Sequence, residues 1–501
     1  DLAVVKDGVV WIEVADRGGE LGATRAGVTG EAPSDVLWHY NLSARHLDKL
    51  CERVDTFSVS GDGERLVVRH RDDTIVVPSS HKVDDDDPAY IRVDLTRLRR
   101  TVNPRAEWRQ MFDENGRLMA SHYWREDMNG VDWDSVLNRY RPLVDLCHVV
   151  DDLHDILWET VAELNTSHSY VSASGAAGDS DMRAGLLGAD VSSGNDGAKV
   201  VRVIPGESSD PRAWSPLRAA GVAVTEGDVI VAVDGRKVGA DGNLGELLEG
   251  SAGRVVELTV RRGENERQVA VVPMADEAPL RYHDWVASRR RYVEEHSGGR
   301  LGYLHVPDMV SDGWAELHRQ IGEATRHEGV IADVRFNHGG HTSQLVVERL
   351  ARRVVGWDYS RWYATADTYP QNAVRGPIVM VTNQWAGSDG DIVAAATQAM
   401  GYAKVIGERS WGGVVGIDGR FDLVDGTSVT QPRYAGWYGS YGWGVENHGV
   451  DPDIVVTVSP EDWEADCDVQ LDAAIAECLR QLDDKPAATA PELPGPAFDR
   501  C

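Results

Sequence analysis

The tetrapeptide Gly387-Ser388-Asp389-Gly390 stands between an apolar run, Ile378-Val379-Met380-Val381, and a helix-like run from Asp391 to Met400. A serine at a tight strand-to-helix turn is presented outward, and the amides of the helix start point at charge that develops beside it. Such a position displays a nucleophile. Ser, Asp and Gly are also favoured at helix starts, so a plain N-cap role for Ser388 competes. The G-x-S-x-G elbow of α/β-hydrolases is not met, because residue 386 is alanine.

A serine hydroxyl is a weak nucleophile until a neighbouring imidazole takes its proton, and histidine, with an ordinary pKa of ~6.5, suits that exchange. The imidazole must be held in one tautomer by a partner on its other nitrogen. Among the sixteen histidines, His168 lies in Glu163-Leu164-Asn165-Thr166-Ser167-His168-Ser169-Tyr170. Neighbouring side chains on a strand face opposite ways, so Ser167 and His168 can serve one site only from a loop. An oxyanion needs two backbone N–H donors. Asp389, directly after the serine, offers one, and the Asn337-His338-Gly339-Gly340 segment offers glycines whose backbone can approach a substrate closely.

Four segments carry a resemblance: Glu163 to Tyr170, Asp333-Val334-Arg335-Phe336-Asn337-His338-Gly339-Gly340, Asn383-Gln384-Trp385-Ala386-Gly387-Ser388-Asp389-Gly390-Asp391, and Val445-Glu446-Asn447-His448-Gly449-Val450-Asp451-Pro452-Asp453. With Glu408-Arg409-Ser410-Trp411-Gly412-Gly413-Val414-Val415-Gly416, their order and spacing resemble the C-terminal half of the tricorn protease family across nearly the whole chain. The resemblance implies a tetrad of Ser388 as nucleophile, His168 as general base and then acid, Ser167 interposed on the imidazole, and Glu446 orienting Ser167. It implies an oxyanion hole from Asp389 and Gly340, with Gly339 as the alternative donor and His338 standing where the family has glycine. Asp358, in Gly356-Trp357-Asp358-Tyr359, lies near the family's acidic S1 residue, which implies cleavage after Lys or Arg.

Two other functions compete. A C-terminal processing protease shares the PDZ and α/β parts but uses a Ser-Lys dyad whose lysine follows about two dozen residues after the serine. After Lys237 this chain holds only Lys404 and Lys485, neither suitably spaced from Ser388. A non-catalytic PDZ peptide-binding scaffold would not need Ser388, His168, Ser167 and Glu446 intact.

The elements that must position these groups read as a multidomain α+β chain. At 501 residues the chain exceeds one core, and roughly 150 residues per domain suggests three or four. Residues 1–85 carry short strands such as Val9-Val10-Trp11-Ile12 and Arg65 to Arg69, with Ser60-Gly61-Asp62-Gly63 as a hairpin turn, and look like terminal blades of a β-propeller. Residues 86–185 form a helical domain with helices from Pro104, from about Trp133 to Leu146 and from Asp151 to Leu164, ending at the catalytic Ser-His pair. Residues 186–275 resemble a PDZ domain, a module that adds extended peptide to a sheet edge. Residues 276–480 alternate strand and helix, as in an α/β catalytic domain of the tail-specific protease type, with Ser388 at a strand C-terminal end. The Pro/Ala-rich residues 481–501 read as a disordered tail.

Acidic residues outnumber Lys plus Arg by 81 to 51, and the charge of −30 excludes nucleic acid and anionic membrane surfaces as partners. No run approaches the ~20 apolar residues of a membrane helix. The chain opens at Asp1 without methionine or a basic leader and reads as a piece of a longer polypeptide. Cys51, Cys147, Cys467, Cys478 and Cys501 are scattered without a C-x-x-C pair, which speaks for a reducing compartment. No metal-ligand spacing or phosphate loop occurs, so no cofactor is expected. The resemblance further implies a cytoplasmic, energy-independent peptidase that trims oligopeptides from larger proteolytic machines. It implies a homo-oligomer, a hexamer, in the full-length protein.

Overall fold

The computed structural model describes residues 2–15, 34–70, 73–99, 101–174, 182–239, 243–418 and 421–493. The chain divides into two units, Asp1–Gln110 with Val310–Ala315, and Met111–Met309 with Glu316–Cys501. In the first unit, β1 (Leu2–Val5), β2 (Gly8–Glu13), β3 (Val36–Asn41) and β4 (His46–Glu52) form one antiparallel sheet, with strands paired in sequence order. A second such sheet holds β5 (Thr56–Val59), β6 (Arg65–His70), β7 (Asp73–Pro78) and β8 (Ile91–Arg92). Alternation puts Leu66 and Val68 of β6 inward, into a core shared with Val10 and Leu37.

The second unit begins with α1 (Pro104–His122), which the unit boundary crosses, α2 (Trp133–Val144) and α3 (Val150–Ala162). Asp132 starts α2 by accepting from Ser135 N at 3.0 Å. Met119, Tyr123, Trp133, Val136, Val161 and Leu164 share one cluster, so the loop after α3 hangs from a packed base. A two-residue strand follows, β9 (Val171–Ser172).

The next strands are β10 (Ala189–Gly194), β11 (Gly197–Val203), β12 (Val229–Val233), β13 (Arg236–Lys237), β14 (Val256–Arg262) and β15 (Asn265–Val271), with a one-turn helix α4 (Leu244–Leu247). They make one sheet in the order β10-β11-β12-β14-β15, with β13 on β12, over a core of Val200, Leu217, Ile230 and Leu258.

The remaining chain builds the layer that carries Ser388. Its elements are α5 (Ala278–His296), β16 (Leu301–His305), α6 (Ser311–Ala324), β17 (Gly329–Asp333), α7 (Ser343–Leu350), β18 (Gly356–Asp358), β19 (Asp367–Tyr369), β20 (Ile378–Thr382) and α8 (Asp389–Met400). After these come β21 (Ala403–Gly407), β22 (Gly416–Asp418), β23 (Ser428–Val429), β24 (Gln431–Tyr434), β25 (Ile454–Val455), α9 (Pro460–Glu464) and α10 (Val469–Asp484). The central sheet is parallel throughout, in the order β16-β17-β20-β21-β25. β16, β17 and β20 are buried at every residue, as strands covered on both faces must be. Because its strands lie in sequence order, right-handed crossovers place α6, α7 and α8 on one face. Val286 and Val293 of α5 pack with Leu471, Ile475 and Cys478 of α10 on the sheet.

The tail reads differently in the structure. The predicted disorder from residue 481 is displaced by helix to Asp484. Beyond it Ala487 packs on the sheet's core cluster and Ala488 N donates to Arg375 O at 2.8 Å. A composition rich in Pro and Ala lacks the apolar content to fold alone, yet a neighbouring surface with unmet carbonyls can still order it. Residues 494–501 lie outside the described residues.

At the carboxyl end of the sheet, Arg335 is buried and bonds Asp333 Oδ2 at 2.7 Å and Asp468 Oδ1 at 2.8 Å. Burial opposes ionisation of Asp333, but the Arg335 charge prevails and holds its carboxyl below the usual range. Asp468 also caps α10 through Leu471 N at 3.1 Å, so one guanidinium fastens the end of β17 to the start of α10. Arg335→Leu leaves the buried Asp333 without its cation and Asp468 with only Arg289, at 3.2 Å. It is expected to cost about 3–5 kcal/mol in equilibrium urea unfolding; a loss within experimental error would deny the clamp its structural role.

Candidate active site

Ser388 follows β20 at the N-cap position of α8 with φ 57° and ψ −119°, a backbone that side chains rarely adopt. Its hydroxyl makes no cap hydrogen bond, so the competing reading of Ser388 as a plain cap does not describe it. The turn is held from both sides. Gly387 N donates to Asn337 O at 3.0 Å, Trp411 N donates to Ala386 O at 2.9 Å, and Asn383 Oδ1 accepts from Phe336 N and Trp385 N at 3.0 and 3.2 Å. Gly387 is required by contact: a Cβ there would stand 2.8 Å from the Trp411 ring. Strain that would relax in a free loop is thereby locked.

The loop after α3 supplies the second group. Asn165 and His168 both have positive φ, 45° and 58°, which breaks the strand alternation that would have turned Ser167 and His168 apart. Ser167 Oγ lies 2.9 Å from His168 Nδ1 and 3.0 Å from Glu446 Oε2, and Ser167 N donates to Glu446 Oε1 at 2.6 Å. Glu446 Oε2 also accepts from Val414 N at 2.8 Å and Val415 N at 2.9 Å. The carboxylate can only accept, so the Ser167 hydroxyl donates to it and accepts from His168 Nδ1–H. That leaves the lone pair on Nε2. His168 is buried, its ring meeting Tyr170 and Trp411 edge-on at 5.8 Å each. Burial lowers its pKa below the ordinary value, partly offset by the Glu446 charge. Thr430 anchors the loop, accepting from Tyr170 N at 2.7 Å and donating to His168 O at 2.5 Å.

The glycine loop lies against the serine. A Cβ on Gly339 would fall 2.5 Å from Ser388 Cβ and 3.1 Å from Ser388 Oγ. Gly339 N already donates to Asn337 Oδ1 at 2.9 Å. Gly340 bridges Met309, with the bonds made by its neighbours: Met309 N to Gly339 O and His341 N to Met309 O, both 2.7 Å. In a parallel bridge of this kind the middle residue's own N–H points to the other side. Asp389 is fixed through its side chain, which accepts from Ser343 N at 2.9 Å.

Trp411 touches both halves, packing on Gly387 and on the His168 ring. Ser388, Gly339, Gly340 and Asp389 thus gather at one strand end, and Ser167, His168 and Glu446 form a bonded chain beside Trp411. Asp358 is not gathered with them: it is exposed on the β18–β19 hairpin, in register with Asp367. Lys404 begins β21, so it sits at the opposite end of the sheet from Ser388, with Nζ 3.7 Å from Asp453. That placement removes it as a dyad lysine. Sequence reasoning passed over Thr430. Asn383, Ser410 and Asp391 stood in quoted segments with no role, the only signal at Asp391 being a second aspartate in a helix start.

Comparison with known proteins agrees along the chain. Residues 300–456 match the family model of peptidase family S41, residues 185–276 that of the tricorn protease PDZ domain, and residues 104–162 that of the tricorn protease C1 domain. The chain is 55% identical over 498 residues to "Tricorn protease homolog 1" of Streptomyces coelicolor, covering 98% of this chain and 46% of that protein. It is 35% identical over 454 residues to "Tricorn protease" of Thermoplasma acidophilum, covering 90% and 42%. The crystal structure of the tricorn protease superposes with a TM-score of 0.85 at 32% identity, over 96% of this chain and 46% of that one. The chain therefore spans about half the length of the curated relatives it matches, and it belongs to the tricorn protease family.

Proposed function

We propose that this chain carries the peptidase centre of a tricorn-type serine protease that cleaves oligopeptides into short products. One observation carries the reading: the ordered chain of donors from His168 Nδ1 through Ser167 Oγ to the Glu446 carboxylate, which leaves Nε2 as a base. In this reading Nε2 takes the Ser388 proton as Oγ attacks the peptide carbonyl, and returns it to the leaving amine. The imidazolium is steadied through Ser167 by Glu446, in the role a carboxylate fills in a triad. The developing oxyanion is received by Asp389 N–H and Gly340 N–H. Gly340 is preferred to Gly339 because the Gly339 amide is already engaged. Deacylation by water repeats the proton path.

The finer features belong to the same proposal. Cleavage after Lys or Arg follows if Asp358 lines S1, supported by its sequence position. The two four-stranded meanders, β1 to β4 and β5 to β8, have the strand count of propeller blades, although β8 carries the second past the expected boundary at 86; the boundaries at 186 and 276 are proposed with them. Family resemblance supports a cytoplasmic homohexamer of the longer protein. Among the described residues no helix is long and apolar enough to cross a membrane.

Three outcomes test the reading. Ser388→Ala or His168→Ala is expected to lower kcat on a fluorogenic peptide by about six orders of magnitude, and a fluorophosphonate to label wild type at Ser388 but not the Ser388→Ala variant; unlabelled wild type with undiminished Ser388→Ala would end the proposal. Because His168 must be neutral to act and burial favours that form, kcat/KM is expected to rise with pH about a midpoint below ~6.5. Glu446→Gln removes the charge that raises this pKa, so its acid limb moves further down; a midpoint above about 7 in wild type contradicts the assignment. The ratio of Arg to Phe cleavage at P1 is expected to fall roughly tenfold or more in Asp358→Ala, and an unaltered ratio takes Asp358 out of the pocket.

A further inference from the structure

Asp391 lies under the nucleophile turn, and no step above uses it. It is the third residue of α8 and fully buried. Oδ1 accepts from Ser410 Oγ at 2.5 Å and from Gly412 N at 2.8 Å, and Oδ2 accepts from Gly413 N at 3.1 Å. Three donors converge on a group with no proton to give, an arrangement that a neutral amide cannot match, because its NH2 would face an N–H group. Burial pushes the Asp391 carboxyl up, and the bonds from Ser410, Gly412 and Gly413 resist that rise.

The segment that Asp391 holds reaches every other part of the site. Between Ser410 and Gly412 stands Trp411, whose ring packs on Gly387 and meets the His168 ring. Directly after Gly413 come the Val414 and Val415 amides that bind Glu446. Ser410 Oγ in turn accepts from Val450 N at 2.8 Å, tying in the strand of chain that bears Glu446. Gly412 has φ 94°, and a Cβ on it would come within 2.5 Å of Gly449 N, so the loop is pressed against that chain with no slack. One carboxylate therefore fastens the helix start directly behind the nucleophile turn to the loop that carries the partners of base and carboxylate.

We propose that Asp391 is a positioning residue of the peptidase reaction, setting the register between the Ser388 turn and the Ser410–Val415 segment so that hydroxyl, imidazole and Glu446 share one frame. The proposal rests on the tetrad reading above. It touches neither substrate nor reacting atoms, so its effect must appear as slower chemistry in correctly folded sites. The misplacement of about 1 Å that its loss allows is the kind that costs ~100-fold in rate.

The test uses the full chain and an alkyl fluorophosphonate that counts reactive sites and times each one. For Asp391→Asn we expect labelling of as many sites as wild type, a labelling rate and a kcat per labelled site both about 100-fold lower, and KM within about threefold. Ser410→Ala, which removes one donor and leaves the carboxylate, is expected to lose about tenfold in kcat per site at unchanged KM, and it decides the matter if Asp391→Asn does not fold. A normal kcat per labelled site with fewer sites labelled, or with only a lowered Tm, overturns the proposal and leaves Asp391 a stabilising residue. Failure of the tetrad reading itself would look different, since wild type would then not be labelled at Ser388.

Discussion

The site depends on a carboxylate being met by donors from chain segments far apart. Glu446 binds Ser167 across 279 positions in sequence and takes the Val414 and Val415 amides on its other side. A carboxylate half removed from water is costly unless its oxygens are filled. The need to fill them draws the loop after α3 onto the α/β layer, and the β9–β23 pair and Thr430 secure it there. Once that loop is seated, His168 has one available tautomer.

The parallel sheet supplies what this arrangement cannot. β17 and β20 are neighbours, so the loops at their carboxyl ends emerge side by side, and the glycine loop and the serine turn meet without any further device. The buried Arg335 holds the first of those loops at its root. Within the site, Ser388, Phe336 and His168 are all at positive φ. Each lies within a residue or two of a well-bonded anchor, which is how such strain persists in a native fold.

Much of this was legible in the sequence. The apolar run before Ser388 and the helix after it read directly as β20 and α8, and the Ser-His pair read as a loop because adjacent side chains on a strand diverge. The boundaries were less legible: α2 ends at Val144 rather than Leu146, and α3 at Ala162 rather than Leu164, since helix ends are set by neighbours as much as by propensity. The start of the tail was placed too early, because a Pro/Ala-rich composition does not mark where the preceding helix stops, at Asp484. Asp391 could not be told from an ordinary first-turn acid, which helix starts favour in any protein. The exposure of Asp358 follows from where the β18 hairpin folds, which no local pattern records.

The long separation between Ser167 and Glu446 also has a meaning in time. A ribosome releases the histidine loop early and the carboxylate only after nearly the whole α/β layer has been made. In the proposed tetrad the imidazole therefore lacks its orienting group until Glu446, 278 positions later, has been made. A nascent chain carries a serine, a histidine and a glycine loop in order of appearance, but no assembled relay. In the proposed reading, the sequence order of the parts leaves the relay incomplete until Glu446 has been made.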